Sequence, residues 1–132
     1  MATTSLLAFQ KAIYDRISGD ATIIALISGV YDYPDEEQTF PFITIGSLNS
    51  VDFSTHTYNG LEYDLDVHVW SRKTGKKECK DIMDNVYRLF HNYVLTVTGF
   101  THVITWFKFE DIERDPDGKT YHGIVSFKAI VN

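Results

Sequence analysis

Cysteine is nearly missing from this chain. Cys79 stands alone among 132 residues, so no disulfide can close within the chain and no cysteine-based zinc cluster can form. A single thiol suits a reducing compartment. Basic residues are also sparse. Twelve Lys and Arg face eighteen Asp and Glu, for a formal net charge of −6. That argues against a protein whose task is to grip phosphates, which needs clustered positive charge. No stretch approaches the roughly 20 apolar residues of a membrane span. The start, Met1-Ala2-Thr3-Thr4-Ser5-Leu6-Leu7, has neither the basic opening nor the long apolar run of a signal peptide. The glycine signatures GxxxxGK[ST], GxGxxG and GxSxG are absent. Gly75-Lys76-Lys77 has the end of a phosphate loop without its upstream glycine.

What the chain does have is aromatic side chains and a clear alternation of patterns. Nine Phe, eight Tyr and two Trp make 14% of the residues, within a hydrophobic fraction of 44%. This is one domain's worth of material, spanning 1–132, able to bury a core without staples. Leu6, Phe9, Ile13 and Ile17 fall on one stripe and predict a helix over 4–17, capped by Thr4 or Ser5. Asp20 caps a short second helix over 21–27, closed by Ser28-Gly29. Residues 30–33 read as a short strand, and 42–48 as the first firm one. Residues 49–60 read as a long hairpin loop ending in Asn59-Gly60. Over 61–71 the alternation is strict. Leu61, Tyr63, Leu65, Val67 and Val69 face one side, and Glu62, Asp64, Asp66, His68 and Trp70 the other. The main helix falls at about 76–93, with an apolar stripe of Cys79, Ile82, Met83, Val86, Leu89, Phe90 and Tyr93. Residues 94–98 and 102–112 read as strands, then Asp115-Pro116-Asp117-Gly118 as a tight turn, then a last strand over 121–131. Hairpins on both sides of one long helix imply an α+β fold. The expected sheet is mostly antiparallel, of about four to five strands, with the long helix and two N-terminal helices packed on one face.

The sharpest chemical candidate is the stripe Glu62, Asp64, Asp66 and His68. Three acids and an imidazole are ligands for a hard metal ion, and a small metal-dependent hydrolase is the enzymatic alternative. Alternate strand residues sit about 7 Å apart, too wide for shared coordination without other ligands. The plainer reading is a polar face paired with Lys108 or Lys128. Cys79 lies on an apolar stripe and reads as a small hydrophobe, with no base nearby in sequence. His56, His68, His91, His102 and His122 are scattered, although His102 and His122 sit on two strands that can approach one another. Arg72, Lys73, Lys76 and Lys77 form the one dense basic cluster, which reads as a solvated turn or a protein contact. Phe53, Tyr58 and Trp70 stand where interface anchors do, since Tyr and Trp are enriched at interfaces. Oligomer or partner contacts are therefore expected at Phe53, Tyr58, Trp70, Arg72, Lys73, Lys76 and Lys77. No catalytic, cofactor-binding or metal-ligating residue is assigned.

Several segments together resemble a known family. They are Tyr33-Pro34, the strand Phe40-Pro41-Phe42-Ile43-Thr44-Ile45-Gly46, and Val67-His68-Val69-Trp70-Ser71-Arg72. Gly75-Lys76-Lys77-Glu78, Asp81 to Tyr87, Phe107-Lys108-Phe109-Glu110, Arg114 to Gly118 and Tyr121-His122-Gly123 continue the match. The chain resembles the tail-completion, or tail terminator, proteins of long-tailed phages, prophages and gene transfer agents. The resemblance implies a small α+β structural protein without catalytic residues or cofactor. It implies a ring, usually hexameric, on the head-proximal end of the tail tube, with a head-side connector protein and DNA passing through without specific binding. An adaptor or stopper of the same connector is the neighbouring alternative. The implied locations are the bacterial host cytoplasm during assembly and the head–tail junction of the particle. Under that reading Glu62, Asp64 and Asp66 would line the channel and repel DNA.

Overall fold

The computed structural model describes residues 6–32, 38–52, 60–73, 75–100 and 102–131, apart from the side chains of Ser47, Asp52, His102 and Val103. Among the described residues three helices, α1 (Leu6–Ser18), α2 (Ala21–Ile24) and α3 (Lys77–Phe90), accompany five strands. The strands are β1 (Val30–Tyr31), β2 (Phe42–Asp52), β3 (Leu61–Ser71), β4 (His102–Arg114) and β5 (Tyr121–Val131). They form one sheet in the order β1-β2-β3-β5-β4. Only β1 runs parallel to its neighbour; every other pairing is antiparallel. The α+β architecture, the strand count and the helices on one face match the expectation.

The core forms where two periodicities meet. Phe9, Ile13 and Ile17 recur at helical spacing on α1, and Cys79, Ile82, Val86, Leu89 and Phe90 on α3. They close on the alternate residues Tyr63, Leu65, Val67 and Val69 of β3 and Val125, Phe127 and Ala129 of β5. All of these side chains are fully buried. Each Val, Leu, Ile and Phe among them contributes roughly 1.5–3 kcal/mol of burial relative to exposure, before the cost of ordering the chain. Leu6, expected on the α1 stripe, is instead exposed at the first residue of the helix. The capping expectation at Thr4 or Ser5 lies outside the described residues.

Elsewhere the boundaries differ from the sequence reading, each for a local reason. Helix α2 stops at Ile24, although its predicted cap is right: Ile23 N donates to Asp20 Oδ2 at 3.0 Å. Beyond it, Leu26 N bonds Ile23 O at 2.9 Å and Ser28 N bonds Pro41 O at 2.8 Å. That tightening hands the chain to the sheet rather than to another helical turn. The strand expected at 30–33 is described only at Val30–Tyr31. Strand β2 runs on to Asp52, so 49–52 belong to the sheet, while 53–59 lie outside the described residues. Helix α3 ends at Phe90, short of Tyr93. His91 turns extended and Asn92 takes a positive φ of 54°.

Residues 94–98 form no strand. Their alternation is real, for Leu95 and Val97 are buried, but the backbone bonds to itself. Phe100 N donates to Val97 O at 3.0 Å across a turn in which Gly99 has a φ of 83°. The segment plugs one end of the core instead of extending the sheet. The turn before β5 is as expected. Asp115 N meets Thr120 O at 2.8 Å, Gly118 N meets Asp115 O at 3.0 Å, and Gly118 has a φ of 77°. Register shifts interrupt β2 between Ile45 and Leu48, and β4 between Phe107 and Phe109. Each gives one strand an extra residue, which re-aims the side chains beyond it.

Candidate functional site

Because the helices pack on the face that carries Tyr63, Leu65 and Val67, the alternate residues of the strands point the other way. Among the described residues no helix covers this second face. It carries Glu62, Asp64, Asp66, His68 and Trp70 from β3, with His122, Ser126 and Lys128 opposite them on β5. All five β3 residues are half-buried rather than exposed. The face divides into a salt-bridged half and an aromatic half.

The salt-bridged half contains the acidic stripe, and its carboxylates are partnered. Lys128 Nζ lies 2.7 Å from Glu62 Oε1 and 3.7 Å from Asp64 Oδ1. Lys108 reaches Asp64 at 3.4 Å, and Ser126 Oγ donates to Asp66 Oδ1 at 2.6 Å. The hydrogen bond to Glu62 raises the Lys128 pKa. Three carboxylates against two ammonium groups leave one net negative charge. No three His, Cys, Asp or Glu side chains gather into a metal-holding group among the described residues. The stripe and His68 are drawn to different partners along the strand.

The aromatic half is a hollow of about 510 Å³. Trp70 forms its wall, stacked on His122 with centroids 3.9 Å apart and planes at 6°. Phe42 lies 6.3 Å from Trp70 and 4.9 Å from Phe40. Trp70 Nε1 donates to Thr44 Oγ1 at 3.1 Å, which satisfies the indole at the cost of one fixed orientation. His68 Nδ1 and His122 Nε2 are 2.5 Å apart, so one imidazole donates its N–H to the other. Burial holds both rings below their ordinary pKa. Their mutual repulsion adds to this for His68, whereas Asp66 opposes it. Asp115 and Glu113 oppose it for His122.

The rim is tied together by Arg72. Its Nε donates to Thr120 Oγ1 at 3.0 Å, and its guanidinium sits 4.2 Å over the Phe40 ring and 3.9 Å from Asp117. Asp117 accepts from Thr120 Oγ1 at 2.6 Å and from the backbone N–H groups of Lys119 and Thr120 at 2.9 Å. These bonds pull its pKa down to about 2, the Thr120 hydroxyl contributing most. Three chain segments, around residues 40, 72 and 117, are thereby locked into one edge.

The expected contact residues are distributed unevenly. Trp70 and Arg72 come together in the hollow. Lys73 and Lys77 lie on the helix side of the sheet, beside Leu26, Glu78 and Asp81, where Lys77 pairs with Asp81 at 2.6 Å. Lys76 is exposed at the start of α3. Phe53 and Tyr58 lie outside the described residues, as does the His102 side chain. His122 meets His68 and Trp70. The approach to His102 considered from the sequence does not occur, because the β4–β5 register sets His102 opposite Val131 and Glu113 opposite His122. His91, at the end of α3, accepts from Phe107 N at its Nδ1 at 3.0 Å and so pins the helix end to β4. Cys79 is fully buried, with Sγ 3.9 Å from Val69 O and from Met83 Sδ. Desolvation pushes its thiol up to about 11, so it is a packing residue and not a nucleophile. Sequence reasoning missed the His68–Trp70–His122 stack. Part of its signal was present, two rings at alternate positions of β3; the third, His122, comes from β5, whose register against β3 no turn sets.

Relatives supply the rest. The profile of the family described as "Tail completion protein gp17" matches residues 11–132. The tail completion protein gp17 of Bacillus phage SPP1 is 28% identical over 125 residues, which covers 95% of this chain and 92% of that protein. The solved structure of bacteriophage SPP1 gp17 superposes with a TM-score of 0.66 at 26% identity, over 97% of this chain and 91% of the other. A chain in the virion of a native gene transfer agent particle shares the fold, with a TM-score of 0.89 at 23% identity over 98% of both chains. A match across nearly the whole chain, on an α+β frame that leaves one sheet face uncovered, places this protein in the tail completion protein gp17 family, a family of structural tail proteins.

Proposed function

We propose that this protein is a tail terminator: a non-enzymatic subunit that closes into a ring, hexameric by the family resemblance, caps the tail tube and joins it to the head. The observation that carries the reading is the family match over residues 11–132. The structure supplies compatible surfaces. The sheet ends in two unlike edges, the thirteen-residue β4 and the two-residue β1. A closed ring needs two different surfaces per subunit, joined head to tail. The partners are other copies of this chain, the tail tube protein and a head-side connector protein. Assembly takes place in the bacterial host cytoplasm, and the finished ring sits at the head–tail junction of the particle.

In this reading Glu62, Asp64 and Asp66 turn toward the channel. Paired with Lys108 and Lys128, they make a hydrated wall that carries little net charge, across which DNA moves without adhering. The basic residues Arg72, Lys73, Lys76 and Lys77, together with Phe53, Tyr58 and Trp70, belong to contacts between subunits or with the tube. The test is to add the purified protein to tail tubes assembled without it and image their ends. Rings at one end, with tube growth halted, are the expected result. Tubes that keep growing with bare ends would overturn the reading. Reversing Glu62, Asp64 and Asp66 together to Lys should slow DNA passage in assembled particles; unchanged passage would remove the channel assignment alone.

A further inference from the structure

The hollow around Trp70 has a charge that its own walls do not balance. Asp32, Asp115 and Asp117 stand on its rim, and among the described residues Arg72 is the one Lys or Arg in the lining. Three carboxylates against one guanidinium leave the rim at −2. Arg72 is already occupied by Asp117, Thr120 and the Phe40 ring. The His68 and His122 rings add no charge at neutral pH, because burial lowers both pKa values. A hollow floored by aromatic rings and edged with carboxylates suits a cation on an alkyl stem. The stem lies along the rings while the ammonium reaches the acids.

The same chain presents such cations elsewhere. Lys73 and Lys76 are exposed, and neither has an ion-pair partner among the described residues. Lys73 lines a groove on the helix layer with Leu26, Lys77, Glu78, Asp81 and Ile82, on the other side of the sheet from the hollow. There Lys77 pairs with Asp81 and Glu78 accepts from Ser71 Oγ, so the cations left without an ion pair are Lys73 and, at the start of α3, Lys76. An acidic rim on one face of the sheet and two unpaired lysines on the other side cannot satisfy each other within one copy. They can do so between successive copies, which is the geometry of a head-to-tail contact.

We propose that the hollow receives the Lys73 and Lys76 side chains of a second copy of this chain, so that aromatic floor and acidic rim form one half of the subunit interface and the basic turn the other. This contact rests on the ring reading above, and adds to it which two surfaces meet. It assigns Asp32 and Trp70 to one side and Lys73 and Lys76 to the other.

The test uses the full chain and two charge reversals at exposed positions, Asp32→Lys and Lys76→Glu, with self-association followed by sedimentation over a wide concentration range. Each variant alone should associate about tenfold more weakly than the parent, since each places like charges together. An equimolar mixture should recover parental association. In alternating order the two reversed side chains face each other at one contact, and the native Asp32 and Lys76 face each other at the next. Every contact then joins opposite charges. Trp70 fluorescence in a Trp106→Phe background should shift on association and lose that shift in either variant alone. If the parent assembles while the mixture stays as weak as its components, this contact is wrong and the ring reading stands. If the parent stays monomeric both alone and in the presence of tail tubes, the ring reading fails and this contact fails with it.

Discussion

Gly46 sits in the β2 bulge, directly beneath the His68 ring. A Cβ at this position would lie 2.2 Å from His68 Nε2 and 2.3 Å from Cδ2, whereas ordinary contact begins at 3.4 Å. In Gly46→Ala the ring must therefore retreat by roughly 1 Å, against the packing that fixes it. It cannot retreat and keep both its hydrogen bond to His122 and its place beside Trp70. The lost hydrogen bond is worth about 1 kcal/mol and the overpacking about 1–3 kcal/mol, partly relieved by ring rotation. A net destabilisation of about 1–3 kcal/mol in urea unfolding is expected. The decisive measurement is the same substitution in a His68→Ala background. There the remaining close atom is Asp66 O at 3.1 Å, and alanine restricts the unfolded chain by about 0.4–1 kcal/mol in favour of folding. The cost should fall to within about 0.5 kcal/mol of zero, giving a coupling of about 1–3 kcal/mol between the two positions. An equal cost in both backgrounds would refute the argument that His68 is what keeps position 46 a glycine.

Other predictions follow from single contacts. Cys79, buried and with its pKa pushed up to about 11, should resist thiol reagents in native buffer and react as the chain unfolds; stoichiometric labelling of the folded protein would contradict its placement. Because burial lowers the His68 and His122 pKa values below 6.5, the unfolded chain takes up protons first. The stability they contribute is full above that value and declines as pH falls through it, a limb that His122→Gln should flatten and that chemical unfolding at a series of pH values will show. Asp117, held at about 2 rather than 3.8, adds a second loss as pH falls from 3.8 toward 2; Asp117→Asn should remove it. Asp20 caps α2 and pairs with Arg88 at 2.7 Å, so Asp20→Ala should cost about 0.5–2 kcal/mol, whereas Arg88→Ala, losing a half-exposed pair, should cost less than about 1 kcal/mol.

The helix face of the sheet was legible because burial writes itself into sequence as a period. Strict alternation from Leu61 to Val69 and the stripe from Cys79 to Phe90 each specify one face with no knowledge of the other. The failures fall where that logic reverses. Leu95 and Val97 alternate and are buried, yet they belong to a plug, because a period of two records burial and not hydrogen bonding. Nor does composition mark where a helix yields to a competing backbone partner, as α2 does when Pro41 O takes the Ser28 N–H.

The uncovered face was readable in content and opaque in arrangement. That Glu62, Asp64 and Asp66 share a side follows from spacing. That Lys128 answers Glu62, and that His122 falls against Trp70, depends on the register between β3 and β5. These two strands are separated by α3 and β4, so no turn joins them directly. Their register emerges only when the β4–β5 hairpin, set by Gly118 and interrupted by a bulge after Phe107, is docked on β3 through the core. A one-residue slip there would bury His122 and Lys128 and expose Phe127. The core residues that fix the fold are therefore also what assemble the hollow. Variants that loosen β5 packing, such as Phe127→Ala at a cost of about 3–5 kcal/mol, should disturb the Trp70 environment even though Phe127 points to the opposite face.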